Sequence, residues 1–223
     1  MIDYAAARLN MVEGQLRTNK VTDLAVLDAF LELPRERFVL PSLRGIAYVD
    51  EDVPLGGGRS LMEPMVLARL LQLAAIGKGD KVLEIGAGTG YATAVLSRLC
   101  AKVIAVESNA QMAAQARNLL SQLGCTRANI VEGPLTAGWP AEAPYDVILL
   151  DGSVGAVPAA ITDQLAEGGR LVGVILAKDA PAIGGLGEAT LMTRAEGVVS
   201  GRPVFDAAIP ILPGFERAAS FVF

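Results

Sequence analysis

The 223-residue chain carries 19 Lys and Arg against 24 Asp and Glu, a net charge of −5, and is 52% hydrophobic. That length holds one well-buried α/β domain with an added layer and excludes two large ones, while the negative charge leaves no electrostatic footprint for nucleic acid or an anionic membrane. The chain has no histidine, which removes Ser-His-Asp, Cys-His and His-ligated metal chemistry together, so no metal centre is expected.

In chain order, residues 3 to 18 have a helical pattern, and Thr22 is placed to cap a second helix that runs to Leu33 and is ended by Pro34. Pro41 to Arg59, with its prolines, acids and Gly56-Gly57-Gly58, reads as a surface loop with room to bend over a site as a lid. Glu63 and Pro64 open a helix whose Val66, Leu67, Leu70, Leu71 and Ala74 keep 3,4 spacing until Gly77. From Asp80 onward, strands near 81–86, 102–107, 128–132, 145–151 and 169–177 alternate with helices near 91–100, 109–123 and 157–166. Near-continuous apolar strands in such alternation predict a mostly parallel sheet covered on both faces, with a ligand at the carboxyl ends of the strands. After Glu188, short apolar runs punctuated by Glu196-Gly197, Pro210, Pro213 and Gly214 predict antiparallel edge strands. The expected organisation is one domain: a helical extension and loop over 1–77, a ligand-binding core over 78–178 and edge strands over 179–223.

Cys100 and Cys125 have no CxxC spacing and read as structural, reduced thiols. No stretch approaches the roughly 20 apolar residues that cross a bilayer. With no cationic and apolar leader at the start, a cytoplasmic location is expected, and the hydrophobic content leaves surface for a homo-oligomer.

The stretch Val82-Leu-Glu-Ile-Gly-Ala-Gly-Thr-Gly-Tyr91 carries the chemistry. Val82, Leu83 and Ile85 supply a buried strand, and Gly86, Gly88 and Gly90 remove three side chains where a ligand would approach the backbone. Glu84 adds a carboxylate beside them. A dinucleotide fingerprint would place a small residue where Tyr91 stands, so NAD and FAD are disfavoured. An acid among glycines suits a ligand with positive charge and no pyrophosphate, a description that S-adenosylmethionine meets. Glu107, ending the next strand, is the acid placed to accept hydrogen bonds from ribose hydroxyls.

The N-terminal segment resembles the protein-L-isoaspartate O-methyltransferase family. The matching residues are Met11-Val12, Gln15-Leu16-Arg17, Val21 with Asp23, Pro34-Arg35-Glu36 with Phe38-Val39, Ala47-Tyr48 with Asp50, and Leu55-Gly56 with Gly58. The likeness continues through Pro64, the glycine turn, Glu107, Tyr145-Asp146, and Gln164-Leu165 with Gly168-Gly169. It implies a Rossmann-like methyltransferase fold, S-adenosylmethionine as cofactor, and an isoaspartyl protein or peptide as methyl acceptor. Glu84, Gly86, Gly88, Gly90 and Tyr91 would surround the methionine part of the cofactor and Glu107 would hold its ribose, with Gly133 and Asp151 completing the cofactor set. Ser60 and Glu63 are the catalytic candidates, Ser60 orienting the acceptor.

Two departures stand out. Where the family reads Gly-Gln-Thr-Ile-Ser, a residue and Pro, this chain reads Gly58-Arg59-Ser60-Leu61-Met62-Glu63-Pro64. Met62 thus replaces a hydroxyl, and Glu63 adds negative charge that Arg59 is placed to offset. Where the family has Gly-Asp-Gly this chain has Gly133-Pro134-Leu135, which lacks the carboxylate near the adenine; Asp151 is the candidate to replace it. Two other functions fit the same residues: methyl transfer to a different small molecule or peptide, and a binding module that retains the fold without catalysis.

Overall fold

A computed structural model describes residues 2–177 and 185–216. The N-terminal layer opens with α1 (Tyr4–Met11), whose first N–H groups are taken by the Asp3 carboxylate. The predicted helix over 3–18 continues in two other geometries, a wider π turn at Val12–Leu16 and a tighter 3₁₀ turn at Arg17–Asn19. It stops at Lys20, which adopts a left-handed φ of 67°. The second helix, α2 (Leu24–Glu32), is capped by Asp23 rather than Thr22. Asp23 accepts from the N–H groups of Ala25 and Val26, while the Thr22 N–H is already donated to Gln72 Oε1 at 2.7 Å.

The segment 41–59 is more ordered than a loop. It forms a 3₁₀ turn at Pro41–Ile46 and then a hairpin of β1 (Val53–Gly56) and β2 (Arg59–Leu61), turning through Gly56, Gly57 and Gly58 at φ of 90°, 58° and 74°. Pro64 opens α3 (Pro64–Ala74), which ends short of Gly77 because Ala75 turns left-handed at φ 47°.

The core then alternates β3 (Lys81–Ile85), α4 (Tyr91–Leu99), β4 (Lys102–Glu107), α5 (Ala110–Gln122), β5 (Ala128–Glu132), β6 (Tyr145–Val154), α6 (Ala159–Thr162) and β7 (Leu165–Leu176). The last helix is a single turn, shorter than the predicted 157–166. Gln164 is drawn out of it: its backbone carbonyl accepts from Tyr145 N–H, and its side chain holds Trp139 N–H and the carbonyls of Ala137 and Ala160. Two further strands, β8 (Gly187–Ala195) and β9 (Val198–Ala207), add antiparallel to the sheet as expected.

The seven strands lie in the order β5-β4-β3-β6-β7-β8-β9, with the first five parallel. Chain order reverses between β3 and β6, which makes that junction the topological switch point where open α/β sheets bind ligands. Alternate residues feed two apolar layers. Val82, Val103, Ala105, Val147 and Leu149 pack under the N-terminal helices, whereas Leu83, Ile85, Ile104, Val106, Ile148 and Leu150 pack on the opposite face.

At the amino ends of the strands, Arg170 gathers several acceptors. Its guanidinium donates to the carbonyls of Ala74 and Ala75 at 2.9 and 3.0 Å and to Asp80 at 2.6 Å. It thereby satisfies carbonyls that the end of α3 leaves without helical partners. Among the described residues, no helix is long and apolar enough to cross a membrane.

Candidate active site

The site is built at the carboxyl ends of β3, β4 and β6. After Ile85 the chain turns through Gly86, Gly88 and Gly90 at φ of 94°, 54° and 92°, backbone that other residues adopt only with strain. The turn is tied to the neighbouring strand, since the N–H groups of Gly86 and Ala87 both donate to Val106 O. Gly90 has a further constraint, because a Cβ there would lie 3.0 Å from Ala116 Cβ on α5.

Glu107 is fully buried and receives four close hydrogen bonds and a longer one from the Ser108 hydroxyl at 3.4 Å. Gly88 N–H donates to Oε2 at 2.7 Å and Asn109 N–H to Oε1 at 2.9 Å. The other two come from Arg59, whose Nη1 spans both oxygens at 3.2 and 2.9 Å while its Nη2 donates to Gly86 O at 2.6 Å. The residue expected to offset Glu63 thus pairs with Glu107 instead, reached by the turn of the β1–β2 hairpin.

Glu84 is also fully buried, yet neither of its carboxylate oxygens has a hydrogen-bond partner. Burial, and then the charges of Asp151 and Glu107, raise its pKa well above the ordinary carboxylate value. Asp151 sits in an irregularity of β6, where Leu149 and Ser153 flank more residues than the two opposite them on β7. Such a bulge re-aims side chains. Its Oδ1 is unpartnered, and burial lifts its pKa to about 7 against the opposing pull of Arg59 and Arg35. Three buried acids face two buried arginines here, and the raised carboxyls of Glu84 and Asp151 can give up their protons to complement a cation that binds.

Arg35 is the second of those arginines. It donates from Nε to Ala47 O and from Nη2 to Met62 O, both at 2.7 Å, and lies 4.9 Å from the ring centroid of Tyr91. Tyr91 is fully buried between Phe30 and Phe38, packed edge-on to both; burial pushes its hydroxyl to about 12. Met62 lies at 2% exposure in the main apolar core.

Ser60 borders the crevice between Gly58, Arg59, Asp151 and the Ile209–Leu212 segment, whose volume of about 10 Å³ is that of a single water. Leu212 closes it from the other side: a Cβ on Gly86 would come within 2.7 Å of Leu212 Cδ2 and 2.9 Å of Arg59 Nη2. Glu63 stands at the start of α3, where its N–H donates to Asp52 Oδ1 at 2.9 Å. Burial and the charges of Asp52, Asp50 and Glu51 raise it to about 7. Gly133 donates its N–H to the Glu107 backbone carbonyl at 3.2 Å, and Pro134 beside it is exposed.

Of the residues singled out in the sequence, Ser60 and Asp151 line this crevice, Gly86 and Glu107 join it through Arg59, and Glu84 and Gly88 are buried in the adjoining turn. Sequence patterns give no sign of Leu212, which reaches the site from the far end of the chain. Arg35 and Arg59 were visible only as a family motif and as a charge beside three glycines.

A glycine turn without a pyrophosphate pattern, an acid ending the next strand and a switch point between β3 and β6 define an α/β enzyme of the methyltransferase class. The profile of the protein-L-isoaspartate(D-aspartate) O-methyltransferase family matches residues 7–180, and the chain belongs to that family. It is 44% identical over 170 residues to the protein-L-isoaspartate O-methyltransferase of Methylorubrum extorquens, covering 76% of this chain and 74% of the relative. It is 41% identical over 169 residues to that of Koribacter versatilis, covering 76% of each. Among solved structures, a protein-L-isoaspartate O-methyltransferase superposes with a TM-score of 0.80 at 29% identity, over 94% of this chain and 67% of the other. A Plasmodium falciparum structure described as the same kind of enzyme in complex with S-adenosyl-L-homocysteine gives a TM-score of 0.76 over 95% and 99%; at 18% identity this likeness speaks for the fold.

Proposed function

We propose that this protein transfers a methyl group from S-adenosylmethionine to the carboxylate of isoaspartyl residues in damaged proteins or peptides. The observation that carries the reading is Glu84, a buried acid with both oxygens unpartnered beside a glycine turn in a chain that matches the family over 7–180. Such an acid accepts hydrogen bonds from an ammonium group and complements positive charge. The cofactor, when bound, supplies a methyl group on a positively charged sulfur, open to attack by an anionic oxygen.

The chain's own residues do the positioning. Glu84, Gly86 and Gly88 would hold the amino-acid part, Gly86 and Gly88 by letting the backbone come close. Glu107 would hold the ribose, and Asp151, with its free Oδ1, would take a donor from the nucleoside side, since Pro134 offers neither carboxylate nor N–H. Gly133, tied by its N–H to the Glu107 carbonyl, would lie beside the nucleoside. Gly90 and Tyr91 serve the site indirectly, Gly90 by letting α4 approach α5 and Tyr91 by locking the N-terminal layer over the turn. Ser60 is the hydroxyl at the crevice that would orient the acceptor carboxylate in line with the methyl. Glu63, raised to about 7 beside Asp52, Asp50 and Glu51, would in its neutral form no longer repel an acceptor carboxylate that approaches it.

The reading includes one folding unit and a cytoplasmic setting, in keeping with two buried free thiols, of which Cys100 is pushed to about 12 and is unreactive. A homo-oligomer is compatible with the exposed Val198 and Val204 on β9. The test is transfer of labelled methyl to an isoaspartyl peptide beside its aspartyl counterpart. Transfer to the first alone is expected; cofactor binding without transfer to either would overturn the repair assignment and direct the search to another acceptor.

A further inference from the structure

We propose that Arg59 is a latch that competes with the cofactor's ribose for Glu107, so that cofactor binding requires the β1–β2 hairpin to release it. The proposal rests on the cofactor reading above and adds a control on it.

The argument is one of hydrogen-bond capacity. An ionised carboxylate offers about four lone-pair sites. On Glu107 the backbone donors Gly88 N–H and Asn109 N–H are fixed, the Ser108 hydroxyl adds a long contact to Oε1 at 3.4 Å, and Arg59 Nη1 takes up the remaining capacity of both oxygens. A ribose diol therefore finds no acceptor until the guanidinium leaves. The same side chain occupies the ground in front of the glycine turn, donating to Gly86 O, and its Nη2 stands 2.9 Å from where a Cβ on Gly86 would be. Arg59 thus blocks both the acid and the approach to the turn.

The latch sits on an element able to move. β1 and β2 form a two-stranded sheet of their own, with an irregular register between Pro54 and Gly56; Val53, Leu55 and Leu61 fix its strands in the core, so the part able to shift is the turn between them. Their turn is three consecutive glycines at positive φ, and a Cβ on Gly56 or Gly58 would meet nothing within 4 Å. Leu212 on the opposite wall is anchored differently, through Leu212 N–H to Ser153 O and Ser153 N–H to Pro210 O. The wall able to yield is the glycine turn that leads into Arg59. An equilibrium that holds the closed form at 90 to 99% lowers apparent affinity by about ten- to a hundredfold, the inverse of the competent fraction.

Titration calorimetry of S-adenosylhomocysteine on the full chain, as wild type, Arg59→Gln and Arg59→Lys, tests this. Gln removes the charge that Glu107 holds and should tighten binding by about ten- to a hundredfold, with Lys between Gln and wild type. The ligand-induced rise in melting temperature should follow the same order at fixed ligand concentration. If Arg59→Gln does not give a cooperative melt, the Lys variant decides by the same criterion. Wild-type binding that is unchanged or weakened by the substitutions overturns the latch and leaves the proposed activity standing. No binding by any form at millimolar ligand overturns both.

Discussion

Asp151→Asn gives a direct measure of the charge stored at this site. In the folded protein the Asp151 carboxyl keeps its proton until about pH 7, because burial penalises the ion, whereas its ordinary value is 3.8. The unfolded chain therefore holds fewer protons than the native one between about pH 4 and 7, and native stability must fall as pH rises through that window and level off above it. At 1.36 kcal/mol per pH unit, the native state loses on the order of 4 kcal/mol in all, of which roughly 2 falls between pH 5 and 7. Asparagine has the same shape and no proton to lose. Urea unfolding of both proteins at pH 5, 6, 7 and 8 should show the variant gaining on wild type by roughly 2–3 kcal/mol from pH 5 to 7 and holding that lead at pH 8. Parallel curves, with the same difference at every pH, would refute the assignment of a raised carboxyl to this position.

Gly90→Ala should cost roughly 2–4 kcal/mol in urea unfolding, from the left-handed backbone and the 3.0 Å approach to Ala116, while Gly124→Ala, at φ 65° with nothing within 4 Å, should cost only about 1. Asp23→Ala should cost about 1 kcal/mol through loss of the α2 cap, and Thr22→Ala clearly less; the reverse order in thermal melts would restore Thr22 as the cap. Met62→Ser, which would restore the family's hydroxyl, should cost roughly 2–4 kcal/mol because it empties a buried core position.

What the sequence made legible was whatever is written in consecutive residues. The strand periodicity, the glycine turn with its acid and Glu107 one strand later all depend on local spacing, and the parallel order follows from their alternation. Thr22 and Asp23 are adjacent and both able to cap; Gln72, fifty residues from Thr22 in the chain, holds both of their backbone N–H groups but also takes the Thr22 hydroxyl at 3.4 Å, which leaves the Asp23 carboxylate to cap. The segment 41–59 has the composition of a loop, and its hairpin exists because Val53 and Leu61 bury their side chains against the core. The turn of α6 is short for a similar reason, as Gln164 is held by partners outside it. Arg59 is the largest case. Its charge beside an acid at Glu63 suggested a local pairing, but a deeper acid with two fixed amide donors is the stronger partner. Leu212 gives no local signal at all.

Arg170 gives the sheet two unlike rims. Where Glu84 and Asp151 keep oxygens without partners at the carboxyl ends of the strands, one guanidinium at the amino ends fastens the close of α3 and Asp80 to β7. One rim of the sheet is in effect a spine with its polar groups satisfied, and the other an edge that keeps acceptors in reserve. Changes of fit to cofactor or acceptor can then accumulate at the open rim without loosening the clasp that keeps the strands in order.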